Sequence, residues 1–234
     1  MKTLVINLPR CWKTIGLALL GISLIVTGGY YFYLKACLIP PVDLINKALD
    51  QAYEASSYRY TMVSQFITEG QPQIWSDVTG EKANHHDLHL SGTMLNTPIE
   101  MYQVGDTSYN RDPFTNRWYA VQGYDLTRQE LLMTEVNPLA NFNFKEIFEA
   151  RYNGQEEVRH WDCWVVECTA DLENQLLEVL WQDFQFKFWI DQRGHFLARG
   201  QLTAHSKSNP ESILTITAEF YDYNQPIQLA VPQV

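Results

Sequence analysis

Apolar and polar residues alternate singly through most of the chain beyond residue 57. Tyr58, Tyr60, Met62, Ser64 and Phe66 alternate with Arg59, Thr61, Val63 and Gln65. Ile74, Ser76 and Val78 take one face of the next segment, and Trp75, Asp77 and Thr79 the other. His86, Leu88 and Leu90 then alternate with His85, Asp87 and His89, and Ile99 to Val104 continues the pattern. A period of two predicts strands with one face turned to a core. Gly70-Gln71-Pro72, Gly105-Asp106, Asp112-Pro113, Arg193-Gly194 and Asn209-Pro210 supply the turns. Strands this close together predict a meandering antiparallel sheet. Late in the chain Phe184, Phe186, Phe188 and Ile190 alternate with Gln185, Lys187, Trp189 and Asp191, and strands over Phe196–His205 and Ile213–Tyr223 follow.

The period changes in three places. After the stiff Pro40-Pro41 spacer, Asp43 suits a helix N-cap, and Ile45, Ala48, Leu49 and Ala52 form one apolar stripe ending near Ser56-Ser57. In the middle, Asp125 can cap a helix through Leu131, Leu132 and Val136. Pro138 can open another carrying Leu139, Phe142, Ile147 and Phe148, before strands resume from Tyr152 to Ala170. Asp171 can cap a third, with Leu172, Leu176, Val179 and Leu180 as its stripe. The predicted body, residues 43–234, is therefore one α+β domain with about nine to eleven strands. A sheet that large curls as its twist accumulates. Amphipathic helices lidding a curled sheet enclose either an apolar cavity or a packed core.

The amino terminus reads differently. Thr14 to Leu34 holds 21 residues without a charge. As a helix it spans roughly 31 Å, the thickness of a bilayer's hydrocarbon core. Arg10 and Lys13 flank one end, and Tyr30, Tyr31, Phe32 and Tyr33 close the other. The positive-inside rule places residues 1–13 in the cytoplasm and the body outside, with residues 14–35 as an N-terminal transmembrane helix and 36–42 as a spacer. Two other readings stay open. A cleaved secretory signal would need a small-x-small site, which is not evident after the bulky aromatic end. A lipoprotein signal would use Leu34-Lys35-Ala36-Cys37, where Lys35 stands in place of a small uncharged residue. All three put the body on the outer side of a membrane.

Charge narrows the partners. The chain carries 17 basic and 27 acidic residues, and Lys2, Arg10, Lys13 and Lys35 all precede the first acid, Asp43. The remainder holds 13 basic against 27 acidic residues. Nucleic acid, which demands basic patches, is excluded as a partner. Cys163 and Cys168 fall five residues apart on a predicted strand, about 16 Å and on opposite faces, which rules out a bond between them.

Catalytic signals are weak. His85-His86-Asp87-x-His89 is the sharpest: His85, Asp87 and His89 share a strand face, but neighbours about 6.6 Å apart strain to reach one metal. An exposed polar face is the better reading, with a metal-dependent hydrolase as its rival. No G-x-S-x-G or Gly-rich phosphate loop occurs. Glu156, Glu157 and Asp162 read as solvated acids, and Trp161, Trp164, Trp181 and Trp189 as core or lining. No cofactor is expected and no catalysis.

Several features together resemble the LolA/LolB-like superfamily of lipoprotein carriers, nearest its LppX/LprAFG branch. A membrane signal and a short helix precede the strand run opening at Ser57-Tyr58-Arg59-Tyr60. Val104-Gly105-Asp106-Thr107-Ser108-Tyr109-Asn110-Arg111 with Trp118-Tyr119 is similar to the family's hairpin. Phe220-Tyr221-Asp222-Tyr223-Asn224-Gln225-Pro226-Ile227, with Leu229 and Pro232, is similar to its closing strand and tail. The resemblance covers about residues 41–234. It implies an unclosed antiparallel barrel with helices on its concave face, whose hollow holds acyl chains or another hydrophobic ligand. By strand phase, Tyr60, Met62, Phe66, Val78, Leu88, Leu90, Met101, Phe184, Phe186 and Phe188 are the expected lining. A one-residue slip would move each to the other face. The rival is an envelope sensor or regulatory domain that binds a membrane protein.

Overall fold

The computed structural model describes residues 39–68, 70–84, 86–123 and 133–233, together with Leu20 and Ser23. The chain divides into two units, Met1–Pro40 and Pro41–Val234, and the second carries the fold. The predicted membrane segment, apart from Leu20 and Ser23, lies outside the described residues, as do Cys37, His85 and residues 125–132 of the helix predicted from Asp125 through Val136. Among the described residues no helix is long and apolar enough to cross a membrane.

Helix α1 runs over Pro41–Glu54. Proline opens it, because a helix's first residues need no amide donor and φ is already set. Asp43 therefore sits in the first turn, favourably placed for the helix dipole, rather than capping from outside. Leu44, Ile45, Ala48, Leu49 and Ala52 are buried on one stripe.

Eleven strands follow in one antiparallel sheet: β1 (Tyr58–Thr68), β2 (Gln71–Ala83), β3 (Asp87–Met94), β4 (Thr97–Val104), β5 (Thr107–Arg111), β6 (Trp118–Gln122), β7 (Phe144–Val158), β8 (Trp161–Leu172), β9 (Trp181–Asp191), β10 (Leu197–Ser206) and β11 (Ile213–Tyr221). Their order is β6-β5-β4-β3-β2-β1-β11-β10-β9-β8-β7. Two meanders are thus joined at a seam between the first strand and the last. Tyr60 pairs with Phe220, Met62 with Ala218 and Ser64 with Ile216. Tyr58 meets Phe220 edge-on at 5.7 Å between ring centroids, and Tyr223 at 5.8 Å. Ser57 Oγ donates to Gln225 O at 2.6 Å, and Asn224 N donates to Ser57 O at 2.8 Å. The tail so ties down the start of the sheet. The sheet remains open, with β6 and β7 as its edges, and curls because eleven twisted strands accumulate rotation.

Putting β6 and β7 at opposite edges forces their connection across the sheet. Its described part is a single-turn helix, α2 (Met133–Val136), and a 3₁₀ turn (Pro138–Phe142). Together they make a strap on the face that α1 also covers. Tyr60 Oη donates to Glu135 O at 2.7 Å, and Ser76 Oγ to Glu135 Oε1 at 2.9 Å. Phe142 meets Phe188 edge-on at 5.4 Å. Its ring lies on Gly200, where any Cβ would come within 2.6 Å of it. Tyr53 Oη donates to Leu139 O at 2.9 Å and joins α1 to the strap.

Three expectations are corrected. Pro138 opens five residues of 3₁₀ turn, and the chain is extended from Phe144, so Ile147 and Phe148 belong to β7. Asp171 and Leu172 end β8. The cap of α3 (Gln175–Leu180) is Asn174, whose side chain accepts from Leu177 N at 3.1 Å. In α3 it is Leu177 that is buried, while Leu176, Val179 and Leu180 are exposed. The helix is too short for a stripe to select its orientation; the cap and the flanking strands set it. Finally, β9 is apolar on both faces near its end. Trp189 is buried opposite Phe188, in a small outer cluster with Val158, Cys163, Val165 and Ala198. Arg199 and Lys187 lie over its ring, and its Nε1 donates to Glu156 Oε2 at 2.7 Å.

Candidate functional site

A cavity of about 370 Å³ lies between the end of α1, the strap and the inner face of β1 to β4. Register builds its floor. Tyr58 lies opposite Lys82, Tyr60 opposite Gly80, and Lys82 opposite Leu88, which faces Gln103. Gly80 is required there, because a Cβ would collide with the Tyr60 ring. Leu88, Val136 and Leu139 supply aliphatic surface, and Tyr53, Tyr58 and Tyr60 supply rings. Lys82, His86, Gln103 and Asn137 supply the polar groups.

Burial holds the three phenols protonated. It raises the pKa of Tyr53, Tyr58 and Tyr60 above that of an ordinary tyrosine, helped at Tyr53 by Glu173. Burial also lowers the pKa of Lys82, whose Nζ stands 5.1 Å from the centre of the Tyr58 ring. Among the described residues the lining holds no Ser, Thr, Cys, Asp or Glu. The arrangement can solvate an amphiphile.

The ten predicted lining residues spread over the inner face. Tyr60 and Leu88 line this cavity. Met62, Val78, Leu90 and Met101 are buried farther along the same strands. Phe188 is buried against Phe142 and Phe144. Phe186 borders a larger and more open hollow of about 760 Å³ beside β7 to β10, and Phe184 a third of about 610 Å³. Phe66 is half-buried, stacked on Trp181 at 5.5 Å and edge-on to Trp75. In the larger hollow Arg151 already pairs with Glu167 at 3.2 Å, so two of its charges satisfy one another.

Strand phase could have suggested Tyr58, which lies in the same alternating row. Lys82 and Gln103 share the inner face too, but were passed over as polar. Tyr53, Val136 and Leu139 reach the site through α1 and the strap, which no local pattern connects to β1. Of the histidine segment, His86 lines the cavity. His89 turns away and stacks on Tyr102 at 4.1 Å, between Glu81 and Glu100, each 3.7 Å from one of its ring nitrogens. Asp87 accepts from Gly105 N at 3.0 Å and from Asn84. His89 and Asp87 thus do not converge with His86. His85 lies outside the described residues.

Neither a protein-family model nor a curated protein matches the chain by sequence. Solved structures do match its fold. The lipoprotein LppX of Mycobacterium tuberculosis superposes with a TM-score of 0.53 at 15% identity, covering 80% of this chain and 96% of LppX. LprF of Mycobacterium bovis gives 0.51 at 11% identity, covering 81% of this chain and 95% of LprF. The open, curled sheet therefore has the LppX-type fold.

Proposed function

We propose, for a chain with the LppX-type fold, that it is a membrane-tethered extracytoplasmic protein which binds a lipid or other hydrophobic ligand without catalysis. The observation that carries this reading is the cavity under the strap, with its aliphatic and aromatic lining. Its volume falls in the range of small-molecule sites. Burying an acyl chain there releases about 0.8 kcal/mol per methylene. Tyr60 and Leu88 touch the ligand, and Met62, Val78, Leu90, Met101 and Phe188 pack the inner face on either side of it; Phe186 and Phe184 border the other two hollows, and Phe66 is stacked on Trp181. The tether is the uncharged run from Thr14 to Leu34 or a lipid on Cys37.

The test places a photoreactive amino acid, p-benzoylphenylalanine, at Asn137 of the full chain in native membranes. Irradiation is expected to add a lipid's mass to the peptide that carries residue 137. Leu88→Trp, which fills the floor, should cut that adduct about tenfold. A peptide that never gains a lipid mass would overturn the reading. The second reading is an interaction domain, favoured by the outward Leu176, Val179 and Leu180 of α3. A protein-mass adduct in place of the lipid would select it.

A further inference from the structure

The cavity has a charge that no carboxylate among the described residues answers. Arg59, Arg111, Lys145, Arg151, Arg159, Lys187 and Arg199 each lie within 4 Å of a carboxylate. Lys82 is half-buried, yet no carboxylate stands within ion-pair distance of it among the described residues. Its one close partner is the face of the Tyr58 ring. Asp87, next to His86 in the chain, already accepts from Gly105 N and Asn84. A half-buried ammonium costs free energy unless it is paired. It is also out of keeping with a body in which acids outnumber bases two to one. Beside Lys82 and the three tyrosines, the described lining holds one more titratable side chain, the imidazole of His86, which adds no negative charge.

We propose that the cavity takes a single-chain anionic amphiphile: the carboxylate or phosphate head at Lys82, the chain between Leu88, Val136 and Leu139. This rests on the proposed lipid-binding reading and narrows it to one class of ligand. Two observations set the class. Lys82 is a point charge with three donors, suited to an anionic oxygen, and among the described residues it meets no competing carboxylate. The volume sets the chain number. At roughly 30 Å³ per methylene-sized group, about 370 Å³ holds on the order of a dozen such groups. That matches one acyl chain whose end reaches out of the open mouth. Burial of Lys82 strengthens the pairing, since a charge attracts more strongly where water is scarce.

The test uses the full chain in membranes and a diazirine-bearing hexadecanoic acid as probe, with the labelled peptides mapped by mass. Label is expected on the peptides that hold Leu88, Val136 or Leu139. Excess palmitate should suppress it, while methyl palmitate and inorganic phosphate at the same concentration should not. Lys82→Met keeps the side-chain stem and should lower labelling about tenfold; Lys82→Arg keeps the charge and should retain it. Circular dichroism of both variants checks that they are folded. If methyl palmitate competes as well as palmitate, or Lys82→Met labels like the parent, the head-group assignment falls and a neutral hydrophobic site remains. If inorganic phosphate alone suppresses the label, the site binds a free anion and the amphiphile is overturned. If no cavity peptide is labelled either by the diazirine-bearing acid or by its methyl ester, used as a second probe, the lipid-binding reading falls with it.

Discussion

Tyr60 shows how much one side chain can set. Its ring lies over Gly80 in the neighbouring strand, and its hydroxyl reaches the strap at Glu135 O. Tyr60→Phe keeps the ring and removes the donor, leaving a buried carbonyl without that partner. Such losses cost about 1–1.5 kcal/mol. A urea titration of the full chain, followed by tryptophan fluorescence, should show a lower midpoint at unchanged slope. An unmoved midpoint would mean that the bond adds nothing to the strap's hold. The alternation around Tyr60 was legible in the sequence. The need for Gly80 across from it was not, because a ring's path over the next strand depends on register.

Among the elements, the strap carries most of what the site becomes. It touches β1 and β2 through Glu135, and β9 and β10 through Phe142. Gly200 is small because Phe142 rests on it. Gly200→Val would press two methyl groups into that ring, and overpacking of this kind costs about 1–3 kcal/mol. The variant is expected to lower the unfolding midpoint and to increase proteolysis within residues 133–143. Protection equal to the parent's would show that the strap is held elsewhere. Pro138 had marked a helix start in the sequence, correctly as a start. The short 3₁₀ turn followed because the next residues were claimed by β7, whose partner β8 lies ahead in the chain. Similarly α1 was readable from its stripe, whereas α3 was misjudged: six residues give an apolar pattern too few turns to choose a side.

The whole molecule hangs on the seam between β1 and β11, which makes two meanders one sheet. Its two faces hold separate apolar clusters, and one cysteine belongs to each. Cys168 sits on the inner face across from Phe186, and Cys163 in the outer cluster beside Trp189. Burial pushes both thiols up to about 12, with Asp191 adding to the effect at Cys163. At pH 8 neither should be a thiolate in the folded state, so neither should react with iodoacetamide. If the sheet unfolds as one unit, both should become reactive at the same urea concentration, as peptide mapping would read. Release of Cys163 well before Cys168 would show that the outer cluster opens by itself.

What the sequence by itself determined was local: which segments are extended, which face of each is apolar, the stripe of α1 and the acidity of the body. Period two and period 3.6 are properties of neighbours in the chain, so they can be read without knowing the partner strand. The order of the eleven strands, with β1 beside β11 and the strap forced across the inner face, was decided by tertiary structure. The seam joins residues more than a hundred positions apart, the strap meets β1 and β2 from 75 and 59 positions away, and no local pattern records either. They decide which apolar positions are packed solid and which border a void. Met62 and Leu90 became core, while Leu88, in the same row as Leu90, came to line the cavity because strap and helix leave space above it. The same register set Lys82 into a pocket whose described lining holds no acid.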